Sequence, residues 1–227
     1  MRFLIIVLPI LLLVFGPGLW VQRVLAKYSQ PDDRYSGTGA ELARKLLDIN
    51  NLQSVKVERT KTGDHYDPND KAVRLTDDKF DGRSLTAITV AAHEVGHAIQ
   101  DKEAYKPMRL RGTLVRGIQK VEKVGAGILI LAPFMGLITR APGLGVVMLI
   151  GGLLTLASST LVHMVTLPTE FDASFGRALP MLEKHQLLIE NDLPHARKIL
   201  KAAAYTYVSV SLMSLLNIAR WFAILRR

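Results

Sequence analysis

The chain has 227 residues, 49% of them apolar, and a mean hydropathy of +0.21, which excludes a disordered chain and does not fit an ordinary soluble enzyme. Its net charge is +9, but no basic patch is interleaved with aromatic residues, so nucleic acid is excluded as a partner and the charge is read as basic residues beside anionic lipid headgroups. With no cysteine, disulfides and thiolate zinc sites are excluded, and any metal ligand is His, Asp or Glu.

In chain order, residues 3–21 form the first apolar run. It is long enough to span a bilayer, which takes about 20 residues. Without a small-residue cleavage site it reads as a retained anchor rather than a signal peptide. Residues 39–49 follow as an amphipathic helix, with Leu42, Leu46, Leu47 and Ile49 apolar. Residues 53–59 and 71–75 alternate as strands. The stretch between them, from Gly63 to Asp70, is rich in turn formers. Together they make a small hairpin or short sheet, whose edge is suited to holding an extended substrate by backbone pairing.

Residues 86–100 then read as a helix, capped at its start by Ser84 or Asp81. Within it lies His93-Glu94-Val95-Gly96-His97, the HExxH pattern. Residues four apart share one helix face, so both imidazoles reach one ion. Glu94, rotated one residue off that seam, is placed to take a proton from a water molecule activated by zinc. The flanks from Val90 to Ile99 carry no other charge, as a buried active-site helix requires.

Further apolar runs cover residues 124–139 and 143–167, joined by the turn at Arg140-Ala141-Pro142-Gly143 as a helical hairpin, and residues 203–225. The expected architecture is therefore mainly α: an integral membrane protein with about four transmembrane helices and a small α+β zincin-like catalytic domain. Residues 1–22 form the anchor, 23–123 the metallopeptidase domain, 124–167 the hairpin, 168–202 a connection and 203–227 the last span. Counting crossings puts both hydrophilic pieces on one membrane face. Basic residues near span ends, Arg23, Lys27, Lys120, Lys123, Lys198 and Lys201 among them, place that face in the cytoplasm.

A catalytic zinc site needs a third protein ligand. Glu103 stands six residues after His97, but Gln100 lacks the glycine turn that such an offset requires. Asp101 lies a further turn along. Glu170 is the better placed. Pro168 is expected to end the preceding span, Thr169 to cap a new helix, and Glu170 to sit in its first turn, with Ser174 one turn on to orient a ligand. Asp172 competes with Glu170 in the same segment, and an acidic residue at a helix N-terminus has its own stabilising role. His65 and Tyr66 in the turn-rich loop, and His163 inside the third span, are candidates for stabilising an oxyanion. The alternative for each is a surface or interfacial residue.

Asp64-His65-Tyr66-Asp67-Pro68, the stretch from Ala91 to Gln100, and Thr166-Leu167-Pro168-Thr169-Glu170-Phe171-Asp172-Ala173-Ser174 together resemble the YugP-type membrane zinc metallopeptidases of bacteria. The resemblance covers nearly the whole chain. It implies one zinc per chain held by His93, His97 and Glu170, with Glu94 catalytic. A looser likeness to HtpX-like membrane proteases departs at Ser174, where their motif carries Asp. The expected function is a membrane-bound endopeptidase of the bacterial cell membrane, acting on membrane-associated or unfolded polypeptides. The competing readings are a non-catalytic membrane adaptor with a structural zinc, and a zinc hydrolase of non-peptide amides.

Overall fold

The computed structural model describes residues 2–114 and 166–215, together with residues 117, 128, 131, 134, 135, 138, 143–148, 150 and 151. The chain divides into two compact units. One comprises residues 1–16, 110–166 and 207–227; the other comprises residues 17–109 and 167–206. The second unit holds the described residues singled out for function.

Helix α1 (Arg2–Tyr28) ends in this unit, where Val21 and Val24 are buried. Helix α2 (Gly39–Ile49) starts at a reciprocal cap. The Glu41 amide donates to the Thr38 hydroxyl at 3.2 Å, and the Thr38 amide donates to the Glu41 carboxylate at 2.8 Å. Its apolar stripe, Leu42, Ala43, Leu46 and Leu47, is buried.

Three strands follow: β1 (Lys56–Thr60), β2 (His65–Asp67) and β3 (Ala72–Thr76). The order is β1-β3-β2, with β1 parallel to β3 and β2 antiparallel to it, Tyr66 opposite Val73. The turn-rich stretch therefore contains a strand. Asp64 pins its start by accepting hydrogen bonds from the Thr76 amide at 2.7 Å and hydroxyl at 2.8 Å.

After the short α3 (Asp77–Phe80), Ser84 caps α4 (Leu85–Lys102) through the Ala87 amide. Every residue of α4 from Leu85 to Gln100 is buried. A helix covered all round is a core element, and α2, α3, β2, β3 and residues 172–184 pack on it. Residues 166–171 are helical and lead into a π-helical stretch, Asp172–Ala178, then α5 (Leu179–Lys184) and α6 (Leu193–Leu215).

The expectation of about four transmembrane helices is corrected. Among the described residues no helix is long and apolar enough to cross a membrane. The supposed first span runs on to Tyr28 and gives Val21 and Val24 to the protein core. The helix of the supposed last span begins at Leu193, carries Arg197, Lys198 and Lys201, and buries Ala196, Ile199, Leu200 and Ala202 in the same core. Most of residues 124–139 and 143–167 lie outside the described residues. The crossing count, and the cytoplasmic face inferred from it, fall with the spans. Nor does Pro168 separate two helices: residues 166–171 are continuously helical, and Thr169 is no cap, its buried hydroxyl meeting no partner among the described residues. What holds is a mostly helical chain with one small sheet.

Candidate metal centre

His93 and His97 stand one turn apart on α4, their rings 4.8 Å apart and nearly perpendicular. Glu170 comes from the facing helical segment. Its Oε2 lies 3.2 Å from His97 Nε2 and 3.4 Å from His93 Nε2. One ligand atom from each of the three lies within 4.8 Å of the others, and all three side chains are buried. Glu94, the next residue to His93, is 6% exposed.

The close approach of the two segments depends on Gly96, between the histidines. A Cβ there would stand 2.6 Å from the Ala173 carbonyl oxygen, nearer than a real contact allows. The π-helical stretch then brings Ser174 to the same centre as Glu170. Wide turns of this kind recur at functional sites.

The hydrogen bonds behind the imidazoles fix their tautomers. Gln100 Nε2 donates to the Thr169 carbonyl and to Asp172 Oδ2, each at 2.8 Å. Both are acceptors, so Gln100 Oε1 faces His97 Nδ1 at 2.9 Å and must receive its proton. Ser174 Oγ donates to the Leu200 carbonyl at 3.2 Å and so accepts from His93 Nδ1 at 3.0 Å. In neutral imidazoles, both Nε2 atoms then present lone pairs toward Glu170.

Burial pushes the Glu170 carboxyl up, and only positive charge on the His97 and His93 side holds it below its ordinary range. The centre thus gathers a carboxylate and two nitrogen lone pairs. Such a set is stable only with positive charge among them. Two nitrogens and a carboxylate oxygen suit zinc. The hydroxyls of Thr89, one turn before His93, and Thr169, beside Glu170, are buried with no partner among the described residues.

Residues 3–226 match the family model described as "Putative neutral zinc metallopeptidase". The chain belongs to this family. It is 37% identical over 227 residues to the "Putative membrane protease YugP" of Bacillus subtilis (strain 168), covering 99% of this chain and 96% of that relative. No solved structure matches. The zinc named in the family's description accords with a three-residue cluster able to hold a metal ion.

In this member of the family the other candidate residues lie outside the three-residue cluster. Tyr66 donates to Asp101 Oδ2 at 2.7 Å, and burial and that carboxylate push its hydroxyl above the ordinary tyrosine value. His65, partly exposed, places Nδ1 2.8 Å from the Gly63 carbonyl. Asp172 accepts from Gln100 at 2.8 Å and from Arg177 Nε at 2.7 Å. Glu103 pairs with Arg177 at 2.8 Å. His163 lies outside the described residues. Gln100 was legible only as a residue that lets the helix continue. Its place three residues after His97, on the ligand face of a wholly buried helix, is the signal that marks it.

Proposed function

We propose that this protein is a zinc-dependent endopeptidase working at a bacterial cell membrane, with one zinc per chain held by His93, His97 and Glu170. The observation that carries the reading is the convergence of three buried ligand atoms within 4.8 Å, the two imidazoles among them held from behind by Gln100 and Ser174. A bound zinc ion would supply Lewis-acid polarisation of a scissile carbonyl and of a water molecule. Glu94 takes the proton from the attacking water and returns it to the departing amine nitrogen. Ser174 and Gln100 keep both Nε2 atoms free of protons. Burial of the three ligands excludes bulk water from behind the site.

Two observations support work at a membrane. The relative is named a membrane protease. On α1, Leu12, Phe15 and Leu19 are exposed, and from Leu19 the exposed Arg23 and Lys27 follow at four-residue steps. Apolar side chains beside cations fit the boundary of an anionic lipid surface. The substrate on this reading is a membrane-associated or unfolded polypeptide. The test is metal content and casein cleavage by purified wild type and Glu94→Gln. Both are expected to hold one zinc, and only wild type to cleave. Undiminished cleavage by the mutant overturns the mechanism. Zinc in both with cleavage by neither favours a structural metal.

A further inference from the structure

The side chain of Gln100 is fully buried and touches both halves of the metal centre. Its oxygen receives the His97 Nδ1 proton at 2.9 Å. Its two amide hydrogens go to the Thr169 carbonyl, the peptide just before Glu170, and to Asp172, two residues after Glu170, each at 2.8 Å. Asp172 is held in turn by Arg177 Nε at 2.7 Å, and Arg177 by Glu103 at 2.8 Å.

This arrangement leaves one hydrogen-bond pattern open. Thr169 O accepts only, and so does the Asp172 carboxylate, which already takes a proton from Arg177. The Gln100 amide cannot flip without setting its oxygen against both. Held so, it offers His97 Nδ1 an acceptor and nothing else. A glutamate at 100 would face an acidic residue and a carbonyl with no proton to give. A leucine or methionine would leave His97 Nδ1 without a partner. Neither satisfies both sides.

We propose that Gln100 is a positioning residue of this metal centre: it fixes His97 with its proton on Nδ1 and ties that imidazole to the main chain carrying Glu170. The two functions are one, because the donors that hold the Glu170 segment are what orient the acceptor facing His97. The inference rests on His93, His97 and Glu170 being the zinc ligands.

The test compares the full-length wild type with Gln100→Met, which has similar length and no amide. Zinc affinity is measured by chelator competition, and the histidine tautomers of the metal-free protein by nitrogen-15 NMR. Loss of a hydrogen-bond partner to a ligating histidine is expected to weaken zinc about 10–100-fold. His97 should become a mixture of tautomers while His93, held by Ser174, stays protonated on Nδ1. Unchanged affinity, or an unchanged His97 signal, overturns the proposal.

If Gln100→Met does not fold, the pair Gln100→Glu with Asp172→Asn exchanges donor and acceptor between residues 100 and 172 and keeps an acceptor for His97, while the Thr169 carbonyl loses its donor equally in the pair and in Gln100→Glu alone. It is expected to keep His97 protonated on Nδ1 and to bind zinc better than Gln100→Glu alone. No difference between the pair and that single variant overturns the proposal. The zinc-site reading fails separately, if His97→Ala retains zinc as wild type does.

Discussion

Two of the unit's buried carboxylates, Asp192 and Glu170, have opposite surroundings. Asp192 is 1% exposed and receives Arg34 Nε at 2.6 Å, Arg34 Nη2 at 2.7 Å and the Tyr35 hydroxyl at 2.7 Å. Glu170 is 0% exposed and faces two imidazoles whose protons are engaged on their far sides. The first carboxylate has a cation from its own chain and ties the segment after α1 to the start of α6. The second lies 3.2 and 3.4 Å from two ring nitrogens, a grouping that a bound cation would join. Burial of an acid thus has two meanings here, and the proton inventory around each tells them apart.

The largest effect is expected at Glu170. Glu170→Gln should weaken zinc by more than the roughly 10–100-fold typical of partners behind a ligand, while the metal-free protein unfolds at no lower temperature. Full zinc retention by metal analysis would return Glu170 to a structural role.

Gly96→Ala probes spacing rather than charge. The added carbon meets main chain at 2.6 Å, and relief should cost about 1–3 kcal/mol in urea unfolding together with zinc affinity. An unmoved midpoint would show that the facing segment yields freely. Ser174→Ala removes the acceptor for His93 Nδ1 but leaves the ligand set intact. It should weaken zinc about tenfold, and a change below about twofold would deny the serine that role.

The smallest effect is expected at the self-neutralised site. Burial pushes the Asp192 carboxyl up, yet the Arg34 pair and the Tyr35 hydroxyl outweigh it and hold the group below its ordinary value. A depressed carboxylate contributes stability that is complete above its unfolded value of about 3.9 and is lost as pH falls through the lower folded one. Asp192→Asn should therefore cost about 1 kcal/mol at neutral pH, leave zinc content unchanged, and converge with wild type in acid. A deficit that persists once acid has protonated the folded carboxyl would point to shape rather than charge.

Local chemistry was legible in the sequence. The amphipathic α2, the bounds of α4 to within a turn, the Ser84 cap and the two histidines on one face all follow from spacing within a few residues. The segment around Glu170 was legible in part. It was singled out, but the route to it, a span stopped by Pro168 and a new helix capped at Thr169, is not how the chain runs. A π-helical stretch has no period of its own in a short sequence, and the close approach of Ala173 to Gly96 is a long-range contact. Strand β2 was hidden for a similar reason: His65-Tyr66-Asp67 sits among turn formers, and pairing with β3 prevails over them. The apolar runs misled because hydropathy averages cannot tell side chains facing lipid from Val21 and Ala204, which are buried in protein.

The proton on His93 is held through Ser174 by the carbonyl of Leu200, and the amide of Gln100 by the carbonyl of Thr169. Both anchors are main-chain atoms, which every residue type carries. Gly96 contributes by an atom it does not have. A scan that replaces side chains one at a time would pass over Leu200 and Thr169, register only size at Gly96, and so undercount the parts of this centre. Backbone substitution, an ester in place of the amide bond whose carbonyl accepts, is the perturbation that would reach them.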